Sequence, residues 1–459
     1  MFARILIANR GEIALRIIRA ARELGVETVC VHSQADADGP WLAFADRTVC
    51  IGPGPATESY LRVDRIISAA EIANVDAIHP GYGFLAENAH FAEICRDCHI
   101  EFIGPSPEAM GLLGDKLSCR RMAREAKTPV FPGSKDAIES DDEAVKVASE
   151  IGYPVIVKAA AGGGGRGMRI AHNEMTLRSA IGAASQEATA AFGNGAVYLE
   201  KFLENARHVE IQVMGDKHGN AVHLFDRDCS TQRRHQKLIE EAPAPGVDPK
   251  KREIVARSAA DLIRRAGYAG AATVEFLMDE EQNFYMLEVN TRVQVEHPVT
   301  EMVTGIDIVK TMIRIAAGDP LPWKQRDITM SGHAVECRIN AEDPERGFIP
   351  QPGLVTEFVP PGGLGIRLDT HVRAGYRIPP DYDSLIGKLI AHGRDRSQAI
   401  EKMRAALEEF HIGPIKTTIP LHRRMMDERQ FIDARHDIHY LERLLKTEAA
   451  ASGEAVAAR

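Results

Sequence analysis

The first hundred or so residues alternate short apolar runs with stretches of helical period, and no other feature restricts the fold of this chain as much. Ile5-Leu6-Ile7-Ala8 reads as a strand. From Glu12 to Leu24 the apolar residues Ile13, Ile17, Ala20, Ala21 and Leu24 recur at helical spacing, and Gly25 stops the helix before the next strand, Thr28–Val31. The beat returns in Ala77-Ile78-His79-Pro80, a helix over Ala89–Cys98, and a strand over Glu101–Gly104. Strand, helix and strand in that order build a parallel sheet, because parallel neighbours need a crossover and a helix supplies it. The spacing predicts such a domain over residues 1–114. The turn after the first strand, Asn9-Arg10-Gly11-Glu12, holds one glycine and no GxGxxG, so nothing here points to a dinucleotide.

From Asp115 the pattern changes. A helix over Lys116–Ala126 and a connector, Thr128–Gly133, lead into a compact segment with its own glycine run, ending near Phe202. From Arg207 the strands become long and alternating. Beyond Pro320-Leu321-Pro322 a third region is strand-rich from His333 to about Ile390, then carries a helix over Arg396–Phe410 and an amphipathic run to Leu445. The expected divisions are 1–114, 115–330 with a mobile lid over about 131–203, 331–446, and a disordered tail at 447–459. The class is α/β, or α+β in several domains.

Composition narrows the partners. Acids outnumber bases 65 to 56, a net charge of −9, which argues against nucleic acid or an anionic membrane held by bulk charge. Charged residues interrupt every hydrophobic stretch before the ~18 apolar residues of a membrane span. The opening MFARILIANRGE reads as strand and turn, with no signal-peptide pattern. Seven scattered cysteines make a disulfide framework improbable, and a cytoplasmic protein is expected.

The stretch Thr273–His297 carries the strongest chemical signal. It reads as two alternating strands joined by a polar turn at Glu280–Asn283. Pairing Met278 with Tyr285 sets Phe276 against Leu287 and Glu275 against Glu288. Two carboxylates directly across a ladder, with Cβ atoms ~5 Å apart, repel. A divalent cation between them converts repulsion into binding, and hard carboxylate oxygens suit Mg²⁺. A period of two along the second strand puts Glu288, Asn290, Arg292, Gln294 and Glu296 on one face. A merely solvated face more often carries Thr, Lys or Ser.

Lys158 ends a strand that runs into a glycine loop, Gly162–Gly165, and a second strand. Backbone N–H groups of such a loop can approach phosphate oxygens unhindered by Cβ atoms. It is not a Walker A loop, since no Gly-Lys-Ser/Thr follows. The segment Arg227–Lys237 is basic, and by itself reads as a solvated charge run or an anion patch. Cys95-Arg96-Asp97-Cys98 and His436-Asp437-Ile438-His439 lack the further ligands a zinc site needs.

Together these segments resemble biotin carboxylase of the ATP-grasp superfamily. The resemblance rests on the glycine loop, Glu200-Lys201-Phe202-Leu203, His208-Val209-Glu210, Arg227–Ser230, Gln232–Lys237, Glu288–Pro298, His333–Asp343, Ile7–Ala14 and His79–Phe84, and covers residues 1 to about 446. It implies an ATP-grasp fold between a Rossmann-like N-terminal domain and a strand-rich C-terminal domain. The implied ATP contacts are Lys116, Lys158, Gly164, Gly165, Glu200, Lys201, Leu203, His208, Gln232 and His235, together with Glu275 and Glu288. The implied ligands of Mg²⁺ (or Mn²⁺) are Glu275, Glu288 and Asn290. Bicarbonate falls to Lys237, Arg292, Gln294, Val295 (through its backbone) and Glu296, and biotin to Arg338. The family's pattern has a glycine at Ala161 and often Gly-Val at Lys127-Thr128.

The activity so implied is the carboxylation of biotin by bicarbonate through carboxyphosphate, driven by ATP. Glu296 is then the base that deprotonates bicarbonate, and Arg338 meets the developing enolate-like oxygen of the ureido group. None of the 14 methionines precedes a lysine, so the Met-Lys-Met biotinylation site is missing. Biotin is therefore expected on a separate carrier protein, with a carboxyltransferase on other chains, as in acetyl-CoA (fatty acid biosynthesis), other acyl-CoA or pyruvate carboxylases. The resemblance also implies a homodimer. A different ATP-grasp carboxylate–amine ligase would share the hairpin and glycine loop without needing Arg338 or Lys237, and a non-catalytic scaffold would be expected to lose Glu288 or Glu296.

Overall fold

In a computed structural model that describes residues 1–160 and 168–452, β1 (Arg4–Ile7), β2 (Glu27–His32), β3 (Arg47–Cys50), β4 (Ala77–His79) and β5 (Glu101–Phe102) form one parallel sheet, ordered β3-β2-β1-β4-β5. Alternation along β1 sends Ile5 and Ile7 to a core shared with helix Gly11–Glu23, and Leu6 to a second core. Helices Val63–Ala73 and Ala89–Asp97 fill that second core with Ile66, Ala70, Phe91 and Cys95. Their ends follow from side-chain chemistry. Asn74 takes the left-handed conformation after the first, and the Asn88 carboxamide accepts the Phe91 N–H at 2.9 Å to start the second. The parallel domain inferred from the alternation is present.

Strands β6 (Val155–Ala159), β7 (Arg169–Ala171) and β8 (Val197–Lys201) make a small antiparallel sheet ordered β7-β6-β8. Helices Asp141–Ile151 and Glu174–Phe192 cover it with small residues such as Ala144, Ala148, Ala180 and Ala184, giving this unit a core of its own. The connector is threaded tightly against it: a Cβ at Gly133 would lie 2.1 Å from the Leu199 carbonyl oxygen, so only glycine fits. The loop between β6 and β7, with Ala161, Gly164 and Gly165, lies outside the described residues.

The largest sheet has eight antiparallel strands. It comprises β9 (Arg207–Gly215), β10 (Ala221–Arg233), β11 (Gln236–Ala242), β12 (Gly270–Met278), β13 (Phe284–Asn290), β14 (His333–Asn340), and strands Leu385–Gly393 and Ile366–Thr370. Their order is β13-β12-β9-β10-β11-β14, then Leu385–Gly393, then Ile366–Thr370. The sheet thus runs straight across the sequence boundary near residue 330, because β11 pairs with β14 through Ile239↔Cys337 and Glu240↔Glu336. Helix Pro249–Arg265, capped by Asp248, packs Val255, Ala259 and Leu262 against Ile211, Val213 and Val274 of the sheet.

Two expectations need correction here. Helix Tyr440–Ser452 continues through residues 447–452, which were expected to be disordered; alanines at 449–451 favour helix strongly enough to extend it. Residues 453–459 lie outside the described residues. The expected run of β13 to Glu296 is also too long: the strand ends at Asn290, and a turn carries the chain to Glu296, the residue before helix His297–Thr304, which has Pro298 in its first turn. No helix among the described residues is long and apolar enough to cross a membrane.

Candidate active site

Three glutamates stand in a row across three strands. Glu210 of β9 is paired with Glu275 of β12, and Glu275 with Glu288 of β13. The hairpin count therefore gives the right opposition for Glu275 and Glu288. It fails nearer the turn, where Phe276 pairs with Met286 and Met278 with Phe284. A bulge at Leu287 absorbs one residue, and the connection spans Asp279–Asn283, closed by the Asp279 carboxylate on the Asn283 N–H at 2.8 Å. No glycine or proline in β13 announces that bulge.

The row is held by cations at one end and open at the other. The Lys237 ammonium donates to Glu210 at 2.6 Å, Glu275 at 2.9 Å and Glu296 at 2.8 Å. Burial opposes charge on every member of this set. The mutual attraction prevails, so Lys237 is held well above the usual lysine range while Glu210 and Glu275 are held well below the usual carboxylate range. His208 Nε2 lies 3.2 Å from Glu275 and 3.7 Å from Glu210; burial disfavours its charge, yet the carboxylates carry it up to about 9. Glu288 has the opposite fate. Desolvation in the cleft and the charge of Glu275 across the ladder raise it, with Lys116 opposing. The row thus presents an uncompensated carboxylate beside solvent, with Asn290 donating to Glu275 at 2.9 Å next to it. Glu275, Glu288 and Asn290 offer hard oxygen donors, a set that fits Mg²⁺.

Arg227 is fully buried and locks the floor of the site. It donates to Glu210 at 2.6 Å, Gln212 at 2.7 Å, Thr300 at 3.0 Å and Gln294 at 2.9 Å, and Gln294 passes the contact on to Glu275 at 2.7 Å. The solvated reading of the basic Arg227–Lys237 run holds for Arg234 and His235, exposed on the β10–β11 turn, and fails for Arg227, Asp228 and Gln232, which are buried because β10 and β11 lie inside the sheet.

Glu296 joins two halves of the site. One oxygen accepts from Lys237, and the other accepts from Arg338 Nη2 at 2.9 Å. Arg338 Nε donates to Glu240 at 2.5 Å, and its own carbonyl accepts from Thr418 Oγ1 at 2.9 Å and His422 Nε2 at 2.7 Å. A guanidinium from the third region thus meets the lysine–glutamate cluster directly, because β14 lies next to β11. The Val295 carbonyl accepts from the buried Lys388 ammonium at 2.9 Å. Arg292 turns elsewhere, donating to Glu87 at 3.0 Å and to the Asn290 side-chain oxygen at 3.1 Å. It is not brought against Lys237 or Glu296 here, and its tie is to the N-terminal domain.

A second basic group lies toward the small sheet. Glu200 of β8 accepts from Lys158 of β6 at 2.5 Å and from Arg120. Lys116, the first residue of helix Lys116–Glu125, is lowered by burial and by the neighbouring Lys158 charge. The Lys201 ammonium spans to the carbonyls of Gly152 at 3.1 Å and Tyr153 at 2.9 Å, so its side chain braces the small sheet. Leu203 follows β8, half-buried. His235 is exposed on the β10–β11 turn with φ +66°, and Gln232 stands opposite Lys237 in the ladder.

Sequence reasoning missed several members. Glu210 was visible in principle, two residues from His208 on one strand face. Glu240 and Glu241 are adjacent in the sequence, yet they diverge: Glu240 meets Arg338, while Glu241 meets His333 at 2.7 Å and Arg396 at 2.6 Å. Glu87, Arg120 and Lys388 carry no local signal, since their partners are distant in the chain.

Comparison with known proteins agrees over nearly the whole length. Residues 1–110 match the biotin carboxylase N-terminal domain, 115–324 the carbamoyl-phosphate synthase L chain ATP binding domain, and 336–443 the biotin carboxylase C-terminal domain. A biotin carboxylase of Allochromatium vinosum is 55% identical over 446 residues, covering 97% of this chain and 99% of its own length. The crystal structure of a Campylobacter jejuni biotin carboxylase–β-γ-ATP complex is similar with a TM-score of 0.92 at 51% identity, covering 96% of this chain and 99% of that one. The biotin carboxylase domain dimer of Hydrogenobacter thermophilus 2-oxoglutarate carboxylase, bound to MgADP, ADP and bicarbonate, gives 0.90 at 47% identity, covering 96% and 98%.

Proposed function

The chain belongs to the biotin carboxylase family, and from that premise we propose that its buried lysine–carboxylate cluster carries the ATP-dependent carboxylation of biotin by bicarbonate. One observation carries the assignment to these residues: Glu296 accepts from Lys237 with one oxygen and from Arg338 with the other. The groups that would hold bicarbonate and the group that would meet biotin therefore share a carboxylate.

In this reading Lys237 and the Val295 backbone hold bicarbonate, and Arg292 swings from Glu87 to complete the anion site with Gln294. Glu296, kept ionised by Lys237 against the cost of burial, takes the bicarbonate proton. The freed oxygen attacks the γ-phosphate of ATP to give carboxyphosphate and ADP. Lys116, Lys158, Glu200, Lys201, Leu203, His208, Gln232 and His235 line the nucleotide side, and Gly164 and Gly165, which lie outside the described residues, are its further ATP contacts. A Mg²⁺ held by Glu275, Glu288 and Asn290 would neutralise phosphate charge. Carboxyphosphate then yields CO₂ and phosphate, phosphate removes the ureido proton, Arg338 balances charge on the ureido oxygen, and the deprotonated ureido nitrogen adds to the CO₂ carbon to give carboxybiotin. Residues 1–114, 115–330 and 331–446 serve as N-terminal, ATP-grasp and C-terminal units, with 131–203 as the lid. The biotin is carrier-borne, the carboxyltransferase is a separate chain, and the working unit is a homodimer in the cytoplasm.

The test is incorporation of labelled bicarbonate into free biotin. Label should enter only with ATP and Mg²⁺ present, and biotin should stimulate ATP cleavage only in the presence of bicarbonate. Faster ATP turnover with an amino acid in place of bicarbonate would instead favour a carboxylate–amine ligase.

A further inference from the structure

Beside Arg338, outside the groups that touch substrate in the reading above, the sheet buries two opposed carboxyl groups. Glu240 of β11 and Glu336 of β14 are direct ladder partners, and both are 0% exposed. Their Cβ atoms therefore lie ~5 Å apart. Glu240 gives one oxygen to Arg338 Nε, while its second oxygen and both oxygens of Glu336 meet no donor among the described residues. The nearby cations are already committed. Lys388 lies 3.2 Å from Glu12 and donates to the Val295 carbonyl, and Arg338 Nη2 is on Glu296. Among the described residues, the groups near the pair are Arg338 and Cys337 of β14, Lys388 of strand Leu385–Gly393, Glu296 before helix His297–Thr304, Lys237 of β11, Cys229 of β10, Tyr82 after β4 and, beyond Lys388, Glu12 of helix Gly11–Glu23.

An ionised, unpaired carboxylate in such a place costs several kcal/mol, and a carboxyl group avoids that by keeping its proton. We infer that Glu336 is a positioning residue for Arg338: its protonated carboxyl group donates to the free oxygen of Glu240 and so keeps Glu240 as the anion that aims the guanidinium. The inference rests on the assignment of Arg338 to the biotin ureido oxygen. Of the three guanidinium nitrogens, Nε is fixed by Glu240 and Nη2 by Glu296, which leaves Nη1 with no partner among the described residues and available to substrate. Burial pushes Glu336 well above the usual carboxylate range, with Lys388 opposing and Glu240 adding; burial also pushes Glu240 up to about 7, against the charge of Arg338.

Two variants separate a positioning role from a merely structural one. Glu336→Gln keeps a donor toward Glu240 without a titrating group; Glu336→Leu keeps volume and removes the donor. Biotin carboxylation by Glu336→Gln should stay within about threefold of wild type, with the alkaline limb of its pH profile moved upward. Glu336→Leu should lose about tenfold or more in that step, while biotin-independent, bicarbonate-dependent ATP cleavage stays within about threefold. Equal damage in both variants, an unmoved alkaline limb in Glu336→Gln, or parallel loss of both half-reactions would overturn the role. If Glu336→Leu does not fold, the limb of Glu336→Gln decides. An infrared band of a protonated carboxyl group, present in wild type at pH 8 and lost in Glu336→Gln, checks the proton without any turnover. Its absence would sink this inference alone, whereas wild type that never carboxylates biotin would sink the functional reading alone.

Discussion

Of the three places among the described residues where the large sheet sets one glutamate directly against another, two resolve the conflict in opposite ways. Glu275 and Glu288 stand at the β12–β13 edge, where Glu288 is exposed; Glu240 and Glu336 stand between β11 and β14, where both are sealed. Both pairs share the same local chemistry and the same ladder spacing. The difference is access. A pair reached by solvent can recruit a hydrated divalent cation, while a sealed pair has only a proton to share. Like charges opposed in a sheet are therefore not one motif with one meaning.

Lys237 is what lets the open row stay ionised, and removing it should break the contrast most severely. Lys237→Met leaves Glu210, Glu275 and Glu296 buried around an apolar stem, and should cost about 3–5 kcal/mol of stability and essentially all turnover. One carboxyl group would then have to take a proton, raising its folded-state pKa above the unfolded value. The deficit should accordingly be larger at pH 8 than at pH 6 in denaturant unfolding; equal deficits would mean that the row does not protonate.

Glu288→Gln sharpens the open half. It relieves the repulsion with Glu275 and removes one anionic ligand, so half-saturation by Mg²⁺ in ATP cleavage should rise about tenfold or more. Stability should hold or improve by about 0.5 kcal/mol. Unchanged turnover at limiting Mg²⁺ would place the metal elsewhere.

For the sealed half the sign runs the other way from an ordinary salt bridge. The folded protein keeps a proton that the unfolded chain releases near pH 4.5, so wild-type stability should fall as pH rises above that point. Glu336→Gln lacks this proton. Between pH 6 and pH 8 its stability relative to wild type should gain about 1–3 kcal/mol, read from melting curves at both values. A constant difference would mean that Glu336 is ionised throughout.

The smallest effect concerns Glu342, another acid close to Arg338 in the chain. Its carboxylate is engaged by Ser384 at 2.5 Å and Asn340 at 3.4 Å, while Arg338 is taken by Glu240 and Glu296. Glu342→Gln should change biotin carboxylation less than about twofold. A loss of about tenfold or more would reassign the arginine's anchor.

Much of this was legible from the residues. The parallel N-terminal domain follows from alternation alone, and the counted register opposes Glu275 to Glu288, although its starting pair, Met278 with Tyr285, is off by one and the bulge cancels that offset. The Leu287 bulge was not legible, because any residue can occupy it and only packing selects it. The ending of β13 at Asn290 was hidden for a related reason: the alternation continues to Glu296, so period two is satisfied by a strand and by a turn that brings the same side chains inward. The burial of Arg227–Lys237 depends on which strands flank β10 and β11, information that a basic run does not contain. Ties such as Arg292 to Glu87, or Arg338 to Glu240, join residues 205 and 98 positions apart. Their local sequence gives a charge without its partner.

The continuity of the eight-stranded sheet past residue 330 also governs what could be made from this chain in pieces. A proteolytic nick in the connection before β14 would leave β11 and β14 as two raw edges whose ladder groups match each other residue for residue. The fragments would be natural partners for complementation, held by the interior of one sheet. Neither would be a working module by itself. The C-terminal fragment would take Arg338 and Glu336 with it, and leave behind both anions, Glu240 and Glu296, that give the arginine its direction.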